Sequence, residues 1–280
     1  MTFQYLGTSA AEGWPSLFCT CRACREARSD GGKSIRTRSQ SMIDGTLLLD
    51  FPPDTLLHTV RHGLDTAAIR DILITHTHED HLYLEDIMVA RQPGYSEFEQ
   101  NFVLRVHGND ALLQKVDSWR GNPATNFEEV TKYCAFTEQT EFVPFQAGAY
   151  TVTALLADHN KREKCFIYLI EKDGKAVLYA HDTGYFPEAT WAYLAGKTLN
   201  MASLDCTHIM NECRRNHMGI PCCAEVRERM LSDGIATKST VFVLNHFSHN
   251  GDEAAAYDAL AERAAAYGFL VSHDGMIIEL

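Results

Sequence analysis

The sequence holds no stretch approaching the ~20 uninterrupted apolar residues of a membrane-spanning helix, which argues against a helical membrane protein. A charged start followed by an apolar run is also missing. The chain instead goes almost directly into Phe3-Gln4-Tyr5-Leu6, which alternates like a strand, so a cytoplasmic location is expected. Internal repeats, low-complexity tracts and long linkers are lacking too. Positive charge is in deficit: 25 basic against 37 acidic residues leave a formal net charge of -12. An acidic surface repels a phosphate backbone, so extended nucleic acid is a disfavoured partner, although bound divalent cations would offset part of the charge. The nine cysteines are an odd number, and three crowd between Cys19 and Cys24. Without an export signal, that pattern favours free thiols and metal ligation over a disulfide framework.

The 280 residues, 45% of them hydrophobic, suffice for a substantial core, and a single domain over residues 1–280 is expected. Short strand-like runs dominate. Asp44-Gly45 between Ser41-Met42-Ile43 and Leu47-Leu48-Leu49 predicts a hairpin, as does Asp173-Gly174 between Phe166–Ile170 and Ala176–Tyr179. Asp274-Gly275, between Phe269-Leu270-Val271 and Met276-Ile277-Ile278, predicts a third. Val103–Val106 and Thr240–Leu244 read as buried strands. Helical patterns cover roughly 109–118, 186–195, 221–232 and 252–266, the last opening on Asp252-Glu253 as favoured at a helix N-terminus. Periodicity alone supports a mixed α and β fold.

The most informative segment is Ile74-Thr75-His76-Thr77-His78-Glu79-Asp80-His81. Four side chains suited to metal lie within six residues, after the apolar strand Ile72-Leu73-Ile74. If the strand continues, alternate residues share a face, so His76, His78 and Asp80 converge while His81 turns away. One short segment can thereby feed two neighbouring metals. Imidazole and carboxylate suit zinc, iron, manganese and nickel to varying degrees.

This segment resembles the His-x-His-x-Asp-His signature of the metallo-β-lactamase superfamily. Later motifs occur in the superfamily's order: His159 in Ala157-Asp158-His159, Asp182 in His181-Asp182-Thr183-Gly184, and His246 in Asn245-His246-Phe247. The resemblance implies an α/β fold, a four-layer αββα sandwich with a binuclear site at one edge of the sheets. It implies His76, His78 and His159 on one divalent metal, Asp80, His81 and His246 on the other, and Asp182 bridging both. His181 is not counted as a ligand, and Asp50 is expected to orient a ligating histidine.

Within the superfamily, the Leu6-Gly7-Thr8-Ser9-Ala10 opening and the cysteine cluster look like the PhnP-type phosphodiesterase branch. That likeness implies a structural zinc on Cys19, Cys21, Cys24 and His249, a closed Cys3His set. It also implies that His217 contacts the scissile phosphate or protonates the leaving oxygen. The expected catalytic residues are Asp80, itself a ligand, and His217. Arg214 and Arg215, the only adjacent arginine pair, could attract a phosphate, and Arg91–Ser96 could form part of a substrate wall. Cys134 and Cys165 are expected to be packed, and Cys206, Cys213, Cys222 and Cys223 have no ligand spacing. The reading is thus a metal-dependent hydrolase of a small phosphodiester, with zinc or manganese (iron or nickel as substitutes) in the catalytic pair. No membrane partner is expected, and a homodimer is compatible with the sequence. A transfer-RNA 3′-processing ribonuclease, a lactone or thioester hydrolase, and a non-catalytic metal sensor are the alternatives.

Overall fold

In the computed structural model, residues 1–99, 102–251, 254 and 256–280 are described. The chain begins with β1 (Thr2–Gly7), α1 (Arg22–Asp30), β2 (Gln40–Ile43), β3 (Leu47–Leu49), α2 (Thr55–His62) and β4 (Asp71–Leu73). It continues through α3 (Leu84–Ala90), β5 (Leu104–Gly108), α4 (Asp110–Asp117), α5 (Phe127–Tyr133), β6 (Cys134–Glu138) and β7 (Pro144–Ala147). Next come β8 (Tyr150–Leu156), β9 (Phe166–Lys172), β10 (Lys175–Ala180), α6 (Glu188–Leu194), β11 (Met201–Asp205) and α7 (Ile220–Ser232). The chain closes with β12 (Val241–Asn245), α8 (Tyr257–Ala265), β13 (Leu270–Val271) and β14 (Ile277–Glu279).

The strands form two seven-stranded sheets, ordered β14-β1-β2-β3-β4-β5-β6 and β13-β12-β11-β10-β9-β8-β7. Alternation along the strands explains why they stack. Phe3, Tyr5, Leu47, Leu49 and Leu73 of one sheet meet Val152, Tyr168, Val177 and Tyr179 of the other in a buried inner layer. The intervening residues face outward. Leu48, Ile72 and Val106 pack with Leu84, Ile87, Leu112 and Val130 of α3, α4 and α5. Leu178, Ala202 and Leu244 pack with Ala27, Trp191, Val226 and Leu260 of α1, α6, α7 and α8. The result is the four-layer αββα sandwich. Among the described residues no helix is long and apolar enough to cross a membrane.

Two of the three expected hairpins form: β2 pairs antiparallel with β3, and β9 with β10. The third does not. β13 pairs with β12 in one sheet, while β14 pairs with β1 in the other. Asp274-Gly275 therefore carries the chain across the sandwich. The Asp274 carboxylate accepts from Thr8 Oγ1 (2.8 Å) and Thr37 N (2.8 Å), partners on the first sheet's side that a hairpin would not offer. The helix expected over 252–266 is α8, Tyr257–Ala265, and its expected opening at Asp252-Glu253 lies outside the described residues. Within the Cys19–Cys24 segment α1 begins at Arg22, and Ala23, Cys24 and Ala27 join the outer core.

Candidate metal centre

β3 to β6 run parallel, as do β10 to β13, and the candidate residues gather beyond the carboxyl ends of these strands. Asp50 follows β3, Asp182 follows β10, Asp205 closes β11 and His246 follows β12. His159 follows β8, whose antiparallel pairing with β9 points its end the same way. Asp50, Asp182 and His246 all hold left-handed backbone, with φ of 62°, 51° and 63°. Such conformations are uncommon outside glycine and cluster where surrounding structure imposes them.

The expectation that His76, His78 and Asp80 share the face of a continuing strand is not met. β4 stops at Leu73, and Thr75 is turned aside because its N–H and hydroxyl both donate to Asp50 Oδ1 at 2.9 Å. The segment then closes in a turn, with His81 N and Leu82 N donating to His78 O at 2.9 and 2.8 Å. That turn brings all four side chains to one place, and His81 does not point away.

His76 Nε2 lies 2.9 Å from His78 Nδ1, and His159 Nε2 lies 3.4 Å from the same atom. On the other side, His81 Nε2 is 2.7 Å and His246 Nε2 is 2.8 Å from Asp182 Oδ2, and Asp80 Oδ2 is 3.2 Å from His81 Nε2. Asp182 Oδ1 instead faces His159 Nε2 at 3.6 Å. One carboxylate thus turns an oxygen to each of two donor groups. The far nitrogens are held in place. His81 Nδ1 donates to Asp50 Oδ2 (2.9 Å), and His159 Nδ1 donates to Asn216 O (3.0 Å). The His76 and His246 Nδ1 atoms meet Thr75 Oγ1 at 3.0 Å and Thr207 Oγ1 at 2.9 Å. Their lone pairs therefore point inward through Nε2.

These donors fit a pair of divalent cations. His81 Nε2, His246 Nε2 and Asp182 Oδ2 are buried and make no hydrogen bond despite their closeness. Burial opposes charge on His81, yet Asp182, Asp80 and Asp50 still hold its pKa well above the ordinary value. A proton on Nε2 would answer that field but not the misaligned geometry, whereas a cation among the three atoms answers both. His181 takes no part: its Nε2 lies 2.7 Å from Ser203 Oγ and its Nδ1 3.2 Å from Ser39 Oγ, between the sheets.

His217 reaches the centre from the loop before α7. Its ring stacks on His246 with centroids 5.7 Å apart and planes at 12°. Its Nδ1 donates to Asp205 Oδ2 at 2.9 Å and lies 3.7 Å from Asp182 Oδ1. Burial works against the imidazolium, but the charge and hydrogen bond of Asp205, with the charge of Asp182, outweigh it and push His217 up to about 9. The sequence reading missed Asp205. It is fully buried and also accepts from Thr207 N and Met218 N at 3.0 Å each, so it shapes the loop as well as the ring. Arg214 is tied to Glu225 and stacks on Tyr185, its Cζ 4.4 Å from the ring centroid. Both arginines line an open cavity of about 570 Å³ with Asp158, Tyr185 and Pro187. The Arg91–Ser96 stretch lies elsewhere: Gln92 and Pro93 line a cavity with Asn122–Asn126 and Glu129, and none of the metal-facing residues borders it.

Cys19, Cys21, Cys24 and His249 form a second group, their donor atoms all within 4.8 Å of one another. The nine cysteines are free. His249 Nδ1 lies 3.8 Å from Cys19 Sγ and 3.5 Å from Cys21 Sγ. Zinc with ~2.3 Å bonds to sulfur and ~2.05 Å to nitrogen separates such donors by about 3.6 Å in a tetrahedron, so the spacing fits. Cys21 caps α1, its sulfur accepting from Cys24 N at 3.4 Å.

Residues 46–247 match the family described as the beta-lactamase superfamily domain. In fold, the chain is similar to a diphosphatase from the PhnP family, with a TM-score of 0.75 and 20% identity over 100% of this chain and 96% of that one. It is also similar to Zn(2+)-bound PqqB from Methylobacterium extorquens (TM-score 0.72, 17% identity, 100% of both chains). Human tRNase Z, short form, is another such structure (0.66, 17%, 100% of this chain and 99% of that one). A curated relative, an octanoyltransferase from Porphyromonas gingivalis, is 28% identical over 162 residues, 56% of this chain. The match spans only 30% of that protein's length. The family match takes in Asp50, the His76–His81 turn, His159, Asp182 and His246, and the two-sheet sandwich is the one these structures share, so the chain belongs to the metallo-β-lactamase superfamily.

Proposed function

We propose that the protein is a two-metal phosphodiesterase acting on a small phosphodiester, open-chain or cyclic. His76, His78 and His159 would hold one divalent ion and Asp80, His81 and His246 the other, with Asp182, which turns one oxygen toward each group, shared between them. Zinc or manganese suits this mixed imidazole and carboxylate set, and the Cys3His group takes a structural zinc. The two bound ions would supply Lewis acidity and lower the pKa of water from ~15.7 to about 7. The remaining chemistry belongs to the chain. His217 has its Nδ1 committed to Asp205, which leaves Nε2 to meet a leaving oxygen. Asp205 favours the charged ring, which would let it donate a proton as the P–O bond breaks. Asp80 and Asp182 place negative charge against the ions without offering a nucleophile of their own.

The observation that carries this reading is the Asp205–His217 pair. It stands beside a donor set complete without it, and a poorly departing alkoxide needs such an acid. A diphosphatase and a tRNase among the similar structures support phosphorus chemistry, but the fold alone does not settle substrate. The test is turnover by zinc- or manganese-loaded protein of bis(p-nitrophenyl) phosphate against a panel of lactones and thioesters. Phosphodiester turnover is expected. Asp182→Ala should abolish it in a folded protein, and His217→Ala should lower kcat by roughly 10²–10⁴-fold while keeping metal stoichiometry. Substrates with good leaving groups should suffer less from the His217 change. Turnover of lactones alone would overturn the assignment.

A further inference from the structure

The two halves of the centre are not built alike. His81 and His246 are buried, and their outer nitrogens are held by Asp50 and Thr207. In the other half His78 is exposed and presents Nδ1 inward, and its outer nitrogen meets only the Asn160 amide at 3.3 Å. The placement of His78 therefore depends on the backbone beside it. That backbone is gripped at Thr77. The Thr77 N–H and hydroxyl donate to the Glu163 carboxylate at 3.0 and 3.1 Å, and the Thr77 carbonyl accepts from Lys115 Nζ at 2.9 Å.

Glu163 does more than hold one loop. Its Oε2 also accepts from Asn109 Nδ2 at 2.9 Å, and its Oε1 lies 3.4 Å from Asn160 Nδ2. Asn109 caps α4 on the first sheet's side, while Asn160 follows His159 on the second sheet's side. One carboxylate thus joins the peptide between His76 and His78 to the loop that carries His159. Every group meeting it is a neutral donor. Glutamine offers one acceptor oxygen where the carboxylate offers two, and its NH2 would face donors.

We propose that Glu163 is a positioning residue that sets the affinity of the metal site formed by His76, His78 and His159, and of that site alone. The proposal rests on the two-metal reading. A carboxylate that holds the peptide between two ligands and the neighbour of a third fixes all three in one arrangement before the ion arrives. The His81, His246 and Asp80 side has its own braces and no contact with Glu163.

The experiment is a Zn2+ titration of the metal-free full chain against a competing chromophoric chelator, with thermal melting of the metal-free protein alongside. Wild type should take three zincs, two at the centre and one at the Cys3His group. Glu163→Gln should weaken one of the three by roughly 10–100-fold, the usual scale for an outer hydrogen-bond partner, and leave two unchanged. The metal-free melting temperature should stay at the wild-type value. In a His159→Ala background, where that site is already broken, Glu163→Gln should cost nothing further, which assigns the loss to this half. Three wild-type affinities in Glu163→Gln would overturn the proposal alone. So would a uniform weakening of all sites with a lowered metal-free melting temperature, or an added loss in the His159→Ala background. A wild type that takes up only the Cys3His zinc would remove the two-metal reading and this proposal together.

Discussion

Asp205 decides which nitrogen of His217 is left free. It accepts from Nδ1, which leaves Nε2 uncommitted, and its charge favours the protonated ring against the cost of burial. Asp205→Asn keeps a similar shape but removes the anion. The imidazolium then loses its stabilising partner, so the pKa of His217 falls. An acid with a lower pKa loses its proton at lower pH, and the alkaline limb of kcat should therefore move toward lower pH. The expected loss at neutral pH is about 10²-fold or more, with metal content unchanged, read from pH–rate profiles. An unmoved alkaline limb would assign that limb to another group. The four metal-suited side chains within six residues were legible from spacing alone, whereas His159, Asp182 and His246 were legible only through the superfamily resemblance. Asp205 was legible by neither route. It stands in Leu204-Asp205-Cys206, twelve positions before its partner, and only the ends of β11 and the loop before α7 bring the two together. A signal existed in an acidic residue closing an apolar strand, the pattern of Asp50 after Leu47-Leu48-Leu49.

Elements differ in how far local sequence specifies them. The β2–β3 and β9–β10 hairpins form where Asp-Gly turns sit between apolar runs. Asp274-Gly275 has the same letters, but its flanking runs find partners in opposite sheets, so tertiary pairing overrides the turn signal. The His76–His81 turn likewise takes its shape from Asp50, a residue distant in sequence. The loop from 211 to 219 is an element of this dependent kind. It supplies Asn216 O to His159 and carries His217, and Arg214 O accepts from Tyr185 N at 2.8 Å. Gly184 lies directly beneath it: a Cβ there would collide with Arg214 O and come within 2.8 Å of Arg215 Cα. Gly184→Ala should therefore push the loop outward and shift His217, while the donors that the loop does not brace stay in place. We expect kcat on bis(p-nitrophenyl) phosphate to fall by roughly 10²-fold, since misplacement by about 1 Å costs that much, with zinc stoichiometry retained. Wild-type kcat would show that the loop absorbs the methyl without moving His217.

At the scale of the whole molecule, the centre sits where two sheets end together, and the acidic excess of the chain meets concentrated positive charge if three divalent ions bind. The sandwich was legible through resemblance; the alternation that builds it became visible only once the inner and outer layers could be told apart. The Cys3His group shows what the sequence concealed. Cys24 lies in the first turn of a helix whose Ala23, Cys24 and Ala27 are already buried, so a metal would not be the sole source of order there. What a zinc ion would add is a tie between that helix and His249, three residues beyond His246. The tie runs beside a second link: Ser9 bridges Phe247, and Ala10 N donates to Phe247 O at 3.0 Å. Cys21→Ser should therefore remove about one zinc per chain and loosen the N-terminal segment without unfolding the sandwich. A loss of about 2 kcal/mol would lower Tm by roughly 4–8 °C in a chain of this size. Because the Ser9–Phe247 link remains, kcat should fall by less than about tenfold, far less than for Asp182→Ala, which would remove the carboxylate facing both donor groups. Elemental analysis should still find zinc at the Cys3His group of wild type when manganese is supplied to fill the centre, since thiolates select zinc. If Cys21→Ser kept the wild-type zinc content and Tm, the four side chains would be a cluster of reduced thiols beside a histidine, with no ion joining α1 to the centre.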